Sequence, residues 1–127
     1  MNELDVEQFT KYVVRLIKTL GEVSLTNPDS EETFPKSVVS NVMQSIKITE
    51  DNFPIYSRFS VTVEWWADSK YKAIELFQST NKLLRHYNFA MIGAPIDLYD
   101  EITRKHRYGG RYEVNYNGLT NSFERVI

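Results

Sequence analysis

From Leu4 to Leu20 the apolar residues Phe9, Val13, Leu16, Ile17 and Leu20 recur at spacings of three and four. That rhythm places them on one stripe of an amphipathic helix. Glu3, Asp5 and Glu7 fall in its first turn, Arg15 and Lys18 near its end, each sign where the helix macrodipole favours it, and Gly21 is a natural stop. Residues 26–33, TNPDSEET, combine Pro28 with hydroxyl and acidic side chains, which predicts an exposed loop. After Phe34-Pro35, the stretch from Ser37 to Thr49 is rich in β-branched residues and ends in the alternating Ile46-Lys47-Ile48, so strand is expected there and a turn from Glu50 to Pro54.

The clearest strand runs from Tyr56 to Trp66. Phe59, Val61, Val63 and Trp65 point one way, and Arg58, Ser60, Thr62 and Glu64 point the other, so one face of a sheet has to be covered. Asp68 or Ser69 then caps a second helix whose apolar stripe reads Tyr71, Ile74, Phe77 and Leu84, supplemented by Leu76 and Leu83. Asn88 suits a left-handed helix end. Phe89 to Ile92 reads as a short strand interrupted by Gly93, Ala94 and Pro95, and Ile96 to Tyr99 as a brief strand or an irregular link. After the flexible pair Gly109-Gly110, which suits a turn or a close backbone approach, residues Arg111 to Tyr116 alternate again.

Runs of strands broken by one helix predict an α+β fold: a mostly antiparallel sheet with the N-terminal helix and the second helix packed on one face. The 127 residues are enough for one core, so 1–127 is read as a single domain. Asn117 to Ile127 lacks a clean period and is expected to be an extended tail that orders only against a neighbour.

Composition narrows the chemistry. An apolar share of 42% with 25% charged residues is ordinary for a folded domain. Cysteine is absent, which excludes disulfides, thiolate metal sites and cysteine nucleophiles, and fits synthesis in a reducing cytoplasm. The polar, acidic start MNELDVEQF is unlike a signal peptide, and no apolar run approaches a membrane span, so no membrane partner is expected. A net charge of −2 lacks the basic footprint of a duplex-DNA binder.

Only His86 and His106 are available as imidazoles, and a zinc or catalytic centre would have to borrow carboxylates scattered over loops. The acidic groups Asp29, Glu31, Glu32 and Asp97, Asp100, Glu101 do not follow a calcium-loop spacing. No phosphate-loop, dinucleotide or nucleophile-elbow motif occurs. The expectation is a protein without catalytic residues, metal or cofactor. Two features remain. Trp65 and Trp66 are adjacent on a strand and must face opposite ways, so Trp66 needs either a cover within the domain or a subunit interface. The segment Arg104 to Tyr116, RKHRYGGRYEVNY, interleaves cations with tyrosines, which suits a protein contact or, in a small ligand-binding or nucleic-acid-binding module, stacked bases.

The chain resembles the tail terminator, or tail completion, proteins of long-tailed bacteriophages and related tail-like particles. The resemblance spans nearly the whole chain. It rests on the N-terminal helix, Phe34-Pro35 before a strand, Val61-Thr62-Val63-Glu64-Trp65-Trp66-Ala67 running into a helix with Ala73 and Leu76, and the closing Arg107-Tyr108-Gly109-Gly110-Arg111-Tyr112-Glu113.

What the resemblance implies is a virion protein made in the host bacterial cytoplasm. Copies of the chain would form a ring, typically of six subunits, at the head-proximal end of the tail tube, ending tube growth and meeting the head-tail connector protein. The genome would pass through the ring without sequence-specific contact. A head-tail adaptor or head-closure role belongs to the same assembly class. Trp66, Tyr108, Tyr112 and Tyr116 offer more large apolar surface than one domain needs, and with Arg107 and Arg111 they are the expected subunit or tube interface, with unpaired strand edges, the loop from Thr26 to Thr33 and the C-terminal tail as further contact surfaces for a ring.

Overall fold

A computed structural model of the chain describes residues 4–50 and 53–126. The elements run α1 (Val6–Ile17), β1 (Glu22–Ser24), β2 (Lys36–Glu50), β3 (Phe53–Ala67), α2 (Lys70–His86), β4 (Ala90–Asp100), β5 (Lys105–Asn117) and β6 (Ser122–Glu124). Glu3, expected in the first helical turn, residues 51–52 of the expected turn, and Ile127 of the expected tail lie outside the described residues.

Helix α1 starts where its cap dictates. The Asp5 carboxylate accepts from the Gln8 N–H at 2.8 Å while the Gln8 side chain accepts from the Asp5 N–H at 3.2 Å, a reciprocal capping box. It ends before Leu20 because the amides of Thr19 and Leu20 turn back to the carbonyls of Leu16 and Ile17, tightening the last turn. Helix α2 is capped by Ser69, whose hydroxyl accepts from the Lys72 N–H.

One six-stranded sheet runs in the order β1-β2-β3-β5-β4, with β6 pairing β5 beyond the start of β4. All pairs are antiparallel except β1 with β2. A parallel pair requires a crossover, here residues 25–35. The fold is α+β, as the alternation along the chain predicts.

Both helices cover one face. Phe59, Val61, Val63 and Trp65 of the central strand β3 are fully buried there, with Val39, Tyr112 and Val114 beside them. From α1 come Phe9, Val13, Leu16 and Ile17, the stripe expected from spacing, with the rings of Phe9 and Phe59 stacked at 4.4 Å between centroids. From α2 come Ala73, Leu76, Phe77, Thr80 and Leu84. The expected α2 stripe is therefore rotated: Tyr71 is 86% exposed and Ile74 only partly buried. The reason is polar. The Trp65 indole N–H, buried on the covered face, donates to the Thr80 hydroxyl at 2.8 Å, and that hydroxyl donates to the Leu76 carbonyl at 2.9 Å. A buried donor without a partner costs more than an apolar contact returns, so the helix turns to present a threonine.

Three further expectations are corrected. Gly109-Gly110 lies inside β5 and is not a flexible approach to it. A Cβ at Gly109 would sit 2.2 Å from the Val63 carbonyl oxygen, so glycine is needed for the close approach of β5 to β3. Ile96 to Tyr99 is part of one strand, β4, that continues past a bulge at Gly93 (φ +69°) to Asp100. The supposed tail contributes β6, and its Phe123 stacks on Tyr12 at 4.6 Å, with Phe9, Phe89 and Tyr116 also near. That aromatic cluster, with the Asn88 amide donating to the Phe123 carbonyl, orders the segment within its own chain.

Thr80→Val, which keeps the shape and removes the acceptor of the Trp65 N–H, is expected to cost about 1–3 kcal/mol in a denaturant titration. A loss well under that would mean that Thr80 does not set the rotation of α2.

Candidate interaction surfaces

The sheet face away from the helices is built from the polar half of the β3 alternation. Arg58, Ser60, Thr62, Glu64 and Trp66 stand opposite Asn115, Glu113, Arg111, Gly109 and Arg107 of β5. Most of these groups satisfy one another across the strands, while the buried Trp66 indole N–H and Arg107 Nε make no hydrogen bond among the described residues. Arg58 Nε donates to the Asn115 side chain at 3.1 Å. Arg111 donates to the Thr62 and Ser60 hydroxyls at 3.0 and 2.7 Å and to the Asn41 carbonyl at 3.2 Å, reaching the bulge of β2 where Asn41 has φ +51°. Arg107 Nη2 lies 3.0 and 3.1 Å from the two oxygens of Glu64, and its guanidinium stacks on the Trp66 ring at 4.6 Å. Lys105, which shares a side of β5 with Arg107, sits over the Phe34 ring at 4.8 Å, bringing the end of the 25–35 crossover to this face.

The six residues expected at an interface are thereby separated. Trp66 is 1% exposed and Tyr112 2%, and Tyr116 is also buried, all within the single chain. The need of Trp66 for a second partner is met by its own domain, through Arg107, so no area is left on it for a neighbour. Tyr112 and Tyr116 lie on the opposite, helix-covered face, where Tyr112 donates to the Asn81 side chain and Tyr116 to that of Asn121. Burial pushes both phenols above their ordinary value, Tyr112 furthest. Tyr108 lies on that face too, its ring edge-on to Phe77 at 5.0 Å. Arg107, Tyr108 and Arg111 are half-buried and keep some accessible surface.

The groups weighed as metal ligands serve local turns. Asp29 and Glu32 accept from main-chain amides within the crossover, and Lys36 holds the Glu32 carboxyl below its ordinary range. The Thr103 hydroxyl and amide do the same for Asp100. His86 and His106 pack edge-on to Tyr87 and Tyr99. Among the described residues no group of three or more histidine, aspartate or glutamate side chains is placed to hold a metal ion.

Exposed apolar surface lies instead at the periphery of the sheet, on strand edges of the kind the sequence reading expected but could not assign to residues. Past Val38, where its pairing with β1 ends, β2 is itself an edge of the sheet; every residue beyond Gln44 is exposed, and Met43, Ile46 and Ile48 along this edge are at 52–60% exposure. Met91, Ile92, Leu98 and Tyr99 are exposed along β4, an edge strand with no further strand beside it among the described residues. At the opposite edge a groove of about 490 Å³ runs between α1 and β1, with Val14, Val23 and Leu25 in it and Lys11, Arg15 and Lys18 on its rim. Strand and edge identity are tertiary facts, so hydrophobic alternation alone could not have located them. The chain matches no model of a known protein family and no curated protein.

The buried phenol of Tyr112 generates a pH prediction. Because its folded pKa is raised above the unfolded value of about 10, the stabilisation is whole below that pH and is lost as pH climbs toward the folded value. The urea midpoint of the wild type is expected to fall more steeply above about pH 10 than that of Tyr112→Phe. Parallel pH profiles would show that Tyr112 ionises without unfolding.

Proposed function

We propose that the chain is a structural subunit of a bacteriophage tail or tail-like particle: a ring-forming tail terminator at the head-proximal end of the tube. It ends polymerisation of the tube protein and offers the surface to which the head connector joins. The observation that carries this reading is the peripheral position of the exposed apolar surface. The open β2 edge with Met43, Ile46 and Ile48 and the open β4 edge with Leu98 and Tyr99 stand outside the core, on features suited to bridging between chains. The resemblance in Val61 to Ala67 and in Arg107 to Glu113 supports the same assembly class. Those segments supply the central strand and its polar neighbour, the scaffold on which both edges are held.

The stacked-base alternative draws on the arginines and tyrosines of 104–116. Arg107 and Arg111 are engaged by Glu64, Thr62 and Ser60, and Tyr112 and Tyr116 are buried, which weakens that reading.

Particles assembled without this chain are expected to carry tails of abnormal and variable length that do not join heads, as seen by electron microscopy. Normal tail length with unstable heads would assign the head-closure role instead, and normal particles would overturn the proposal. Because Arg111 also ties β5 to the β2 bulge, Arg111→Glu is expected to lower stability as well as assembly.

A further inference from the structure

The two outer edges of the sheet differ in charge. At the β1 edge the groove carries Lys11, Arg15 and Lys18 around Val23 and Leu25. Lys11 is paired with Glu7, whereas Arg15 and Lys18 make no ion pair among the described residues. At the β4 edge Asp97 is paired with Lys70 at 2.9 Å, and the chain presents Asp100 and Glu101 beside the exposed Leu98, Tyr99 and Ile102, two carboxylates against Arg104, the cation of the same turn that makes no ion pair among the described residues. Lys105, next along, is committed to Asp68 at 2.7 Å.

Resting on the ring reading above, we infer that the β4 edge of one copy docks in the α1–β1 groove of the next, extending the sheet from subunit to subunit. Three physical points lead there. The edges are at opposite ends of one sheet, β4 last and β1 first, so a contact between them is head to tail and repeats around a rotation. Each edge is apolar at its centre, Val23 and Leu25 on one side and Leu98 and Tyr99 on the other, and each strand leaves an outer row of backbone donors and acceptors free. Charge selects the unlike pair. A groove facing a second groove would oppose two sets of lysine and arginine, and β4 facing β4 would oppose two sets of carboxylates, whereas groove against β4 brings opposite signs together. The bulge at Gly93 and Pro95 interrupts the edge, which confines the ladder to Ile96–Asp100, the part that carries the acids.

The absence of native cysteine makes a cross-linking test direct. In the full chain, Leu25→Cys and Leu98→Cys are introduced separately and together, and each preparation is treated with a short bismaleimide. The double variant is expected to give a ladder of covalent multimers ending at the ring size, and each single variant to remain one chain long. Lys18→Glu in the double variant is expected to reduce the ladder roughly twofold to fivefold at low salt, the range of one exposed ion pair, and Glu101→Lys in addition to restore it. Sedimentation of the untreated protein separates the two levels of the argument. Rings that persist while the double variant yields no ladder would overturn this contact and leave the ring reading standing. Dimers from Leu98→Cys alone would also overturn it, since they require β4 on β4. A chain that sediments as a monomer at all concentrations, with and without tube, would overturn both.

Discussion

The central strand β3 sets the terms for the rest of the molecule. It is paired on both sides, and its row Phe59, Val61, Val63 and Trp65 has no exposure at all, so that row exists only under a complete cover. At about 1.5–3 kcal/mol for each large apolar side chain fully buried, the row is a principal stabiliser, and losing either helix would forfeit much of it. The tryptophan adds a polar condition. Its indole N–H has to find an acceptor inside the cover, and Thr80 supplies one. Helix α2 is thereby fixed in rotation, which places Phe77 beside Tyr108 and against the site of Gly110. The requirement for glycine at 109 follows from the close approach of β5 to β3, while a Cβ at 110 would meet the movable Met91 side chain at 2.9 Å and the Phe77 ring at 3.2 Å.

The other face of β3 solves the opposite problem. It has no helix over it, yet Thr62, Glu64, Trp66 and Asn115 are buried. Cross-strand pairs make this possible: arginines of β3 and β5 lie across their neighbours and satisfy hydroxyl, amide and carboxylate groups while the Arg107 guanidinium covers Trp66. A surface arranged this way is largely self-satisfied, and it moves the capacity for association outward. Apart from the buried Trp66 indole N–H and Arg107 Nε, what is left open among the described residues is the sheet edges of β1, β2 and β4, where backbone and apolar side chains meet solvent together.

Much of the architecture was legible in the sequence because it depends on period alone. The α1 stripe through Phe9, Val13, Leu16 and Ile17 and the β3 alternation are local patterns, and both are realised. The α2 rotation was not legible, since it depends on a hydrogen bond from Trp65 to a threonine that hydropathy counts as polar. The glycine pair left a turn and a close backbone approach open, because a mid-strand glycine and a turn glycine have the same local signature; the 2.2 Å approach to Val63 decides for the second. The aromatic and arginine set was legible as unusual, with an internal cover foreseen as one of two readings for Trp66 and none for Tyr112 or Tyr116. Whether Trp66 or Tyr112 faces a partner depends on what the rest of the chain places over it, as Arg107 and the helices do here. For the same reason the peripheral apolar surface could not be assigned to residues until the strand order was known.

The central claim is that this surface caps a polymer. Tube subunits polymerising in solution provide the direct measurement: the purified chain is added at increasing molar ratio and the length distribution is scored by electron microscopy. The account predicts that mean tube length falls as the ratio rises, with extra density confined to one end of each tube. Tubes of unchanged length, or decorated along their sides with bare ends, would contradict it.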